Sequence, residues 1–182
     1  GNMNVANMLN AKYFIVEGDN GRQEVMINPD AMGNAWFVDE VRCVDTPREE
    51  SDALNAMDFS KQAVTDRKFS SMVLEPNTFS GEIALLSYAP DRLVYSSSCE
   101  GEKTAVFSDI YYPYGWKAYI DGAPVEHFRV NYVLRALNVP AGEHEIMFEF
   151  RPDSIYKGFK VNALFRYIMY TLIISLIVAS VL

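Results

Sequence analysis

The clearest pattern in the chain lies at its end. From Tyr167 to Leu182 the residues read YIMYTLIISLIVASVL, without a charge, behind Lys157, Lys160 and Arg166. Thr171 and Ser175 sit one helical turn apart, but Ile, Leu and Val point in the remaining directions, which leaves no polar face wide enough for a surface helix. Burying one such side chain stabilises by roughly 1.5–3 kcal/mol. Summed over the run, this rivals the ~5–15 kcal/mol that holds a whole domain together. The run is a little shorter than the about 20 residues a bilayer span needs, and it predicts the start of a transmembrane helix over 159–182. A central helix buried in the globule or in an oligomer interface is the other way to cover it. Apolar tails outside a bilayer would cover one another by self-association. Tyr167, Tyr170 and Arg166 stand where an aromatic and basic interface belt would lie.

Upstream the period changes from helical to alternating. After Gly142, Ile146, Phe148 and Phe150 alternate with Glu145, Met147 and Glu149, the pattern of a strand with one core face. Between Gly81 and Asp153 turn signals come at short intervals, at Ala89-Pro90-Asp91, Cys99-Glu100-Gly101, Asp121-Gly122 and Pro140-Ala141-Gly142. Short strands punctuated in this way predict an antiparallel sandwich. Asp121-Gly122 fits a two-residue hairpin loop, and Pro124 just beyond it favours an edge strand. The first half predicts strands at 11–17, 23–27 and 35–45, with a turn at Gly18, Asn20 and Gly21. A short helix from an N-cap at Ser51 to about Phe59 follows. The expected class is mostly β: an antiparallel, jelly-roll-like β-sandwich with one or two short helices and a C-terminal apolar helix. Residues 1–70 form an annex, 71–153 the sandwich, and 153–159 a hinge to the helix.

With 182 residues, 49% of them hydrophobic, the chain can fill one domain-sized core. A net charge of -8 repels polyanions, so nucleic acid is not an expected partner. Cys43 and Cys99 are too few for a disulfide scaffold and read as small buried apolar residues. The N-terminal residues carry no signal-peptide pattern.

The chemistry-bearing residues exclude more than they suggest. No nucleophile elbow, HExxH helix or phosphate-binding loop is present. Two histidines are too few for a histidine-rich metal site, and no cofactor is implied. His144 reads as an exposed strand residue and His127 as a satisfied surface strand residue. The acidic residues Asp39, Glu40, Asp45, Glu49, Glu50 and Asp52 read as a solvated rim rather than as the paired carboxylates of glycoside chemistry. The densest unusual feature is Tyr111-Tyr112-Pro113-Tyr114-Gly115-Trp116, with Trp36 and Phe37 a second aromatic spot. Such rings serve either as core and turn aromatics or as stacking platforms for sugars, with Asp109, Lys117 and Asn131 near enough to fix hydroxyls.

These residues also carry a resemblance. The run 108–122, SDIYYPYGWKAYIDG, followed by NYVLRA at 131–136 and VPAGEH at 139–144, resembles the C-terminal region of bacterial YfhO-like membrane proteins. LNAKYF at 9–14 and GNAWFV at 33–38 resemble its earlier landmarks; Tyr114 is an addition to the usual YYPGW run. The resemblance implies a polytopic protein related to lipid-linked-sugar glycosyltransferases of the GT-C type, acting on cell-envelope polymers. Their catalytic acidic residue is expected between early membrane helices, so none is carried over here. What it implies for this region is a non-catalytic domain on the extracytoplasmic side of the bacterial cell membrane, contacting an envelope glycan. Asp109, Tyr112, Trp116, Asn131 and Arg135 match its motif positions and, with Tyr114, are the candidate ligand-binding residues. A membrane-anchored carbohydrate-binding or interaction module without enzymatic activity is the alternative.

Overall fold

The computed structural model describes residues 2–18 and 21–181. Two antiparallel sheets face each other. The first runs β10(Ala123–Val125), β9(Trp116–Ile120), β13(Gly142–Phe150), β7(Arg92–Cys99), β6(Gly81–Ala89), and the second β11(Phe128–Val130), β12(Leu134–Val139), β8(Lys103–Ile110), β3(Ala35–Val38). Consecutive strands pass repeatedly from one sheet to the other, which produces the sandwich. Period-2 alternation fills its interior: Ala105 and Phe107 of β8, Leu137 and Val139 of β12, Ile146 and Phe148 of β13, and Leu93 and Tyr95 of β7 all point inward. Phe107, Tyr95 and Phe148 meet edge to face.

The second sheet is covered on its outer side too. Val106, Ala136, Leu134 and Phe128 pack there against Met8, Leu54, Met57, Phe59, Ala63 and Val64. The covering layer contains α1(Met3–Met8), the two-stranded sheet β4(Glu40–Val44)–β5(Gln62–Asp66) and α2(Pro47–Ala53). A 3₁₀ turn at Arg67–Met72 completes it. β4 and β5 are parallel, joined through α2, the one departure from antiparallel pairing among the described residues. The sandwich draws β3 from the stretch 1–70. The strand anticipated over 35–45 breaks at Asp39, where the backbone N–H bonds Lys61 O and the chain leaves β8 for β5.

The N-cap of α2 is Thr46, not Ser51, and the helix ends at Ala53 rather than near Phe59. Thr46 Oγ1 accepts the Glu49 N–H, Pro47 sits in the first turn, and the Glu49 carboxylate reaches back to the Asp45 N–H. The Asp121-Gly122 hairpin is as expected, with φ of 50° and 79°, and β10 with Pro124 lies on a sheet edge. β1(Tyr13–Glu17) and β2(Gln23–Ile27) form a hairpin that stands apart from both main sheets. Of its expected turn residues, Asn20 lies outside the described residues.

α3(Asp153–Val181) runs as one helix through the stretch anticipated as a hinge. Its segment Asp153–Leu176 is long and apolar enough to cross a membrane, and none of its described side chains is packed inside the domain. A one-sided soluble helix would show a polar stripe, and this one shows none past Arg166.

Candidate functional site

Alternation along β12 puts Arg135 on the same inward face as Leu137 and Val139, so its guanidinium enters the inter-sheet core. It is only 1% exposed. The guanidinium lies 4.3 Å from the Trp116 ring centre and 4.7 Å from that of Phe148. Asp109, on the inward face of β8, comes within 3.7 Å of its Nη2, and the Tyr95 hydroxyl donates to Asp109 Oδ2 at 3.3 Å. Nε and Nη1 of Arg135 are buried without a hydrogen-bond partner. Burial pushes the guanidinium below its ordinary value, against the pull of Asp109, and burial raises the Tyr95 hydroxyl. Three of the sequence candidates, Asp109, Trp116 and Arg135, are thus brought together.

The outer side of Trp116 forms part of a groove of about 570 Å³. Tyr111, Pro113, Phe69 and His127 line it with Trp116, and Lys68, Lys117 and Glu126 supply charge at its margin. Phe69 meets Tyr111 edge-on at 5.7 Å, which fixes one wall. The loop between β8 and β9 is held by backbone bonds from Tyr111 N–H to Val133 O, from Gly115 and Trp116 N–H to Tyr112 O, and from Arg151 N–H to Gly115 O. A Cβ on Gly115 would run into the Phe150 ring, so the close packing there requires glycine. Tyr112 stacks on Phe150 and Tyr114 lies 77% exposed against Tyr112, and neither ring lines the groove.

Asn131 does other work. Its Oδ1 accepts the Val64 N–H and its own N–H donates to Val64 O, so it stitches the covering layer to the turn before β12. Asn131 and Tyr132 both have positive φ, 50° and 71°. Asparagine tolerates that region and a tyrosine does not readily. Glu50 holds it there: buried completely, it accepts the Tyr132 N–H at 2.9 Å and pairs with Arg129 at 2.6 Å. Glu50 therefore does not belong to a solvated rim, and burial raises its carboxyl despite Arg129. Asp39 likewise pairs with Lys103, itself buried, at 2.6 Å.

Both histidines differ from expectation. His127 sits in the β10–β11 connection with its ring edge-on to Tyr111 and Phe148, and its Nε2 is buried without a partner. Burial first, then Arg135 and Lys117, push it down to about 4. His144 is half-buried rather than exposed. Its Nδ1 lies 2.6 Å from Asp121 Oδ2, a contact that raises the imidazole and lowers the carboxyl. The second aromatic spot is divided: Trp36 donates to Phe59 O in the covering layer, and Phe37 faces the sandwich interior. Cys99 is buried and Cys43 half-buried; both are free thiols.

A larger, more open cleft of about 1110 Å³ runs past β3 and β6, over Ser96, Ser97 and Ser98 and beside Glu82, Glu143 and Glu145. None of the six candidate residues lines it. Among the described residues, no group of three or more His, Cys, Asp and Glu side chains is placed to hold a metal ion. Compared with family models, curated proteins and solved structures, the chain shows no match.

Proposed function

We propose that this chain is the water-facing, non-catalytic portion of a membrane protein, and that the groove beside Trp116 contacts a glycan carried at the membrane surface. The observation that carries this reading is the groove itself. Flat rings from Trp116, Tyr111 and Phe69 stand beside the polar ends of Lys68, Lys117 and Glu126, the mixture that stacks a sugar face and engages its hydroxyls. Lys117 and Tyr119 line both this groove and the cleft where α3 begins, so a ligand in the groove lies next to the helix entry. The resemblance to the YfhO-like region supplies the rest of the proposal: an extracytoplasmic setting in a bacterial cell membrane and attachment to a polytopic protein of glycosyl transfer. Basic residues beside α3 favour the cytoplasmic side by themselves, but large domains cross largely regardless of such charges.

The full chain, purified in detergent micelles, should bind members of an immobilised glycan library. Trp116→Ala should weaken that binding at least about tenfold, as expected for loss of a central aromatic anchor. Because Trp116 also covers Arg135, Glu126→Gln serves as a second variant on the groove margin that leaves the packing intact, and it too should weaken binding. A library on which the folded wild-type chain binds nothing removes the glycan from the proposal.

A further inference from the structure

Where α3 leaves the sandwich, a separate cleft of about 380 Å³ is lined by Lys117, Tyr119, Arg151, Asp153, Lys157 and Lys160. The spacing of Asp153, Lys157 and Lys160, four and then three residues apart, places them on one face of α3. Lys117 and Tyr119, two apart on β9, share one face of the sheet. The chain as a whole carries a net charge of -8, yet three lysines, Lys117, Lys157 and Lys160, line this cleft with Asp153, while Glu149 stands across from Lys117 on β13. The Asp153 carboxylate lies 3.5 Å from Lys117 Nζ. Convergent like charges repel, so the arrangement favours a further anion in the cleft.

The position of the cleft says which anion it meets. Lys160 stands six residues, about 9 Å of helix rise, before Arg166 and the charge-free run. A polar headgroup layer is about 5–8 Å deep on each side of the hydrocarbon. With the charge-free run in a membrane, Lys160 stands at the outer edge of that layer, and the long side chains of Lys160 and Lys157 can reach back towards the lipid phosphates. Ammonium groups act as mobile point charges suited to an oxyanion. We infer that this cleft binds the phosphate of an anionic phospholipid headgroup. The basic flank of α3 then answers to lipid charge, and it does not require the domain to face the cytoplasm.

The inference rests on α3 entering a bilayer, and the two can fail separately. The full chain is reconstituted in nanodiscs of equal phosphatidylglycerol and phosphatidylcholine, and the lipids it retains on release are counted by native mass spectrometry. Phosphatidylglycerol should be retained over phosphatidylcholine. Lys157→Gln with Lys160→Gln should cut that retention at least about tenfold, given the pull of anionic lipid on each lysine. Lys12→Gln with Lys61→Gln, which removes the same charge far along the chain, should leave it unchanged. Equal retention of the two lipids, or equal loss in both double variants, overturns the inference while the span stands. Tighter binding of inorganic phosphate to the solubilised chain, displacing the lipid, overturns the lipid assignment. A chain that stays outside the discs overturns the span and the inference together.

Discussion

A histidine wedged edge-on between Tyr111 and Phe148, with Nε2 buried and unpartnered, takes up a proton only at a cost. Its folded value of about 4 lies below the 6.5 of an unfolded chain. Between those values the unfolded state binds more protons, so the His127 contribution is complete above pH 6.5 and drains away as pH falls towards 4. The full loss amounts to about 3 kcal/mol. His144, raised by its bond to Asp121, acts in the opposite direction: its contribution is present below 6.5 and is lost as pH rises through the folded value. Glu50, raised by burial, also has its contribution at the acid end. His127→Phe isolates the one group. The variant should match wild-type stability within about 1 kcal/mol at pH 7, because the ring shape is kept and an unpaired nitrogen is removed. Urea unfolding at pH 7 and pH 4.5 should then show a smaller acid loss in the variant; an equal loss in both proteins would deny His127 this role. The same residue shows why single positions were hard to read. A histidine between Glu126 and Phe128 looks like surface, and its true neighbours lie in other strands. Arg135 could have been placed, since it shares the alternation of Leu137 and Val139, but its charge argues against a core position.

Elements whose signal is local were readable and those fixed at a distance were not. The β13 alternation, the Asp121-Gly122 turn and edge-strand Pro124 each carry their cause within a few residues. The start of α2 was also written locally, in Thr46-Pro47-Arg48-Glu49 with its capping threonine and first-turn proline, a signal passed over when the cap was placed at Ser51. Glu50 was not readable, because what buries it is Arg129 and the Tyr132 turn, about eighty residues on. The β1–β2 hairpin is the least supported element. Tyr13, Ile15, Val25 and Ile27 share one face through the pairs Tyr13↔Ile27 and Ile15↔Val25, and each is 65–71% exposed. A two-stranded hairpin on its own is marginal in water. Amide hydrogen exchange of the detergent-solubilised chain should therefore label β1 and β2 well before β7 and β13, which pair with each other along eight residues. Equal protection of the two would mean that the hairpin is covered in solution.

At the scale of the molecule, two hydrophobic programmes meet at Arg151-Pro152. The sandwich and its covering layer bury their apolar faces in two cores, and among the described side chains none of α3 belongs to either. α3 carries its apolar surface outward along its length, with Leu164, Phe165, Leu172, Ile174 and Leu176 all exposed. The composition of 167–182 made this legible, because a helix apolar on all sides must find cover outside water. What it left open was whether the cover is lipid, the rest of the globule or another copy. The cores answer for the globule, and a truncation tests the answer. A chain ending at Pro152 should unfold in urea within about 1 kcal/mol of the full chain, because deleting a helix that adds no core contact leaves the transfer energies of the domain intact. Fluorescence of Trp36 and Trp116, which sit on the covering layer and in the sandwich, reports on both parts. The truncated chain should be a soluble monomer, whereas the full chain should partition with membranes. A truncated chain that aggregates or loses more than about 3 kcal/mol would mark α3 as a core helix of an oligomer. In that event the lipid cleft and the membrane-borne glycan would lose their setting together.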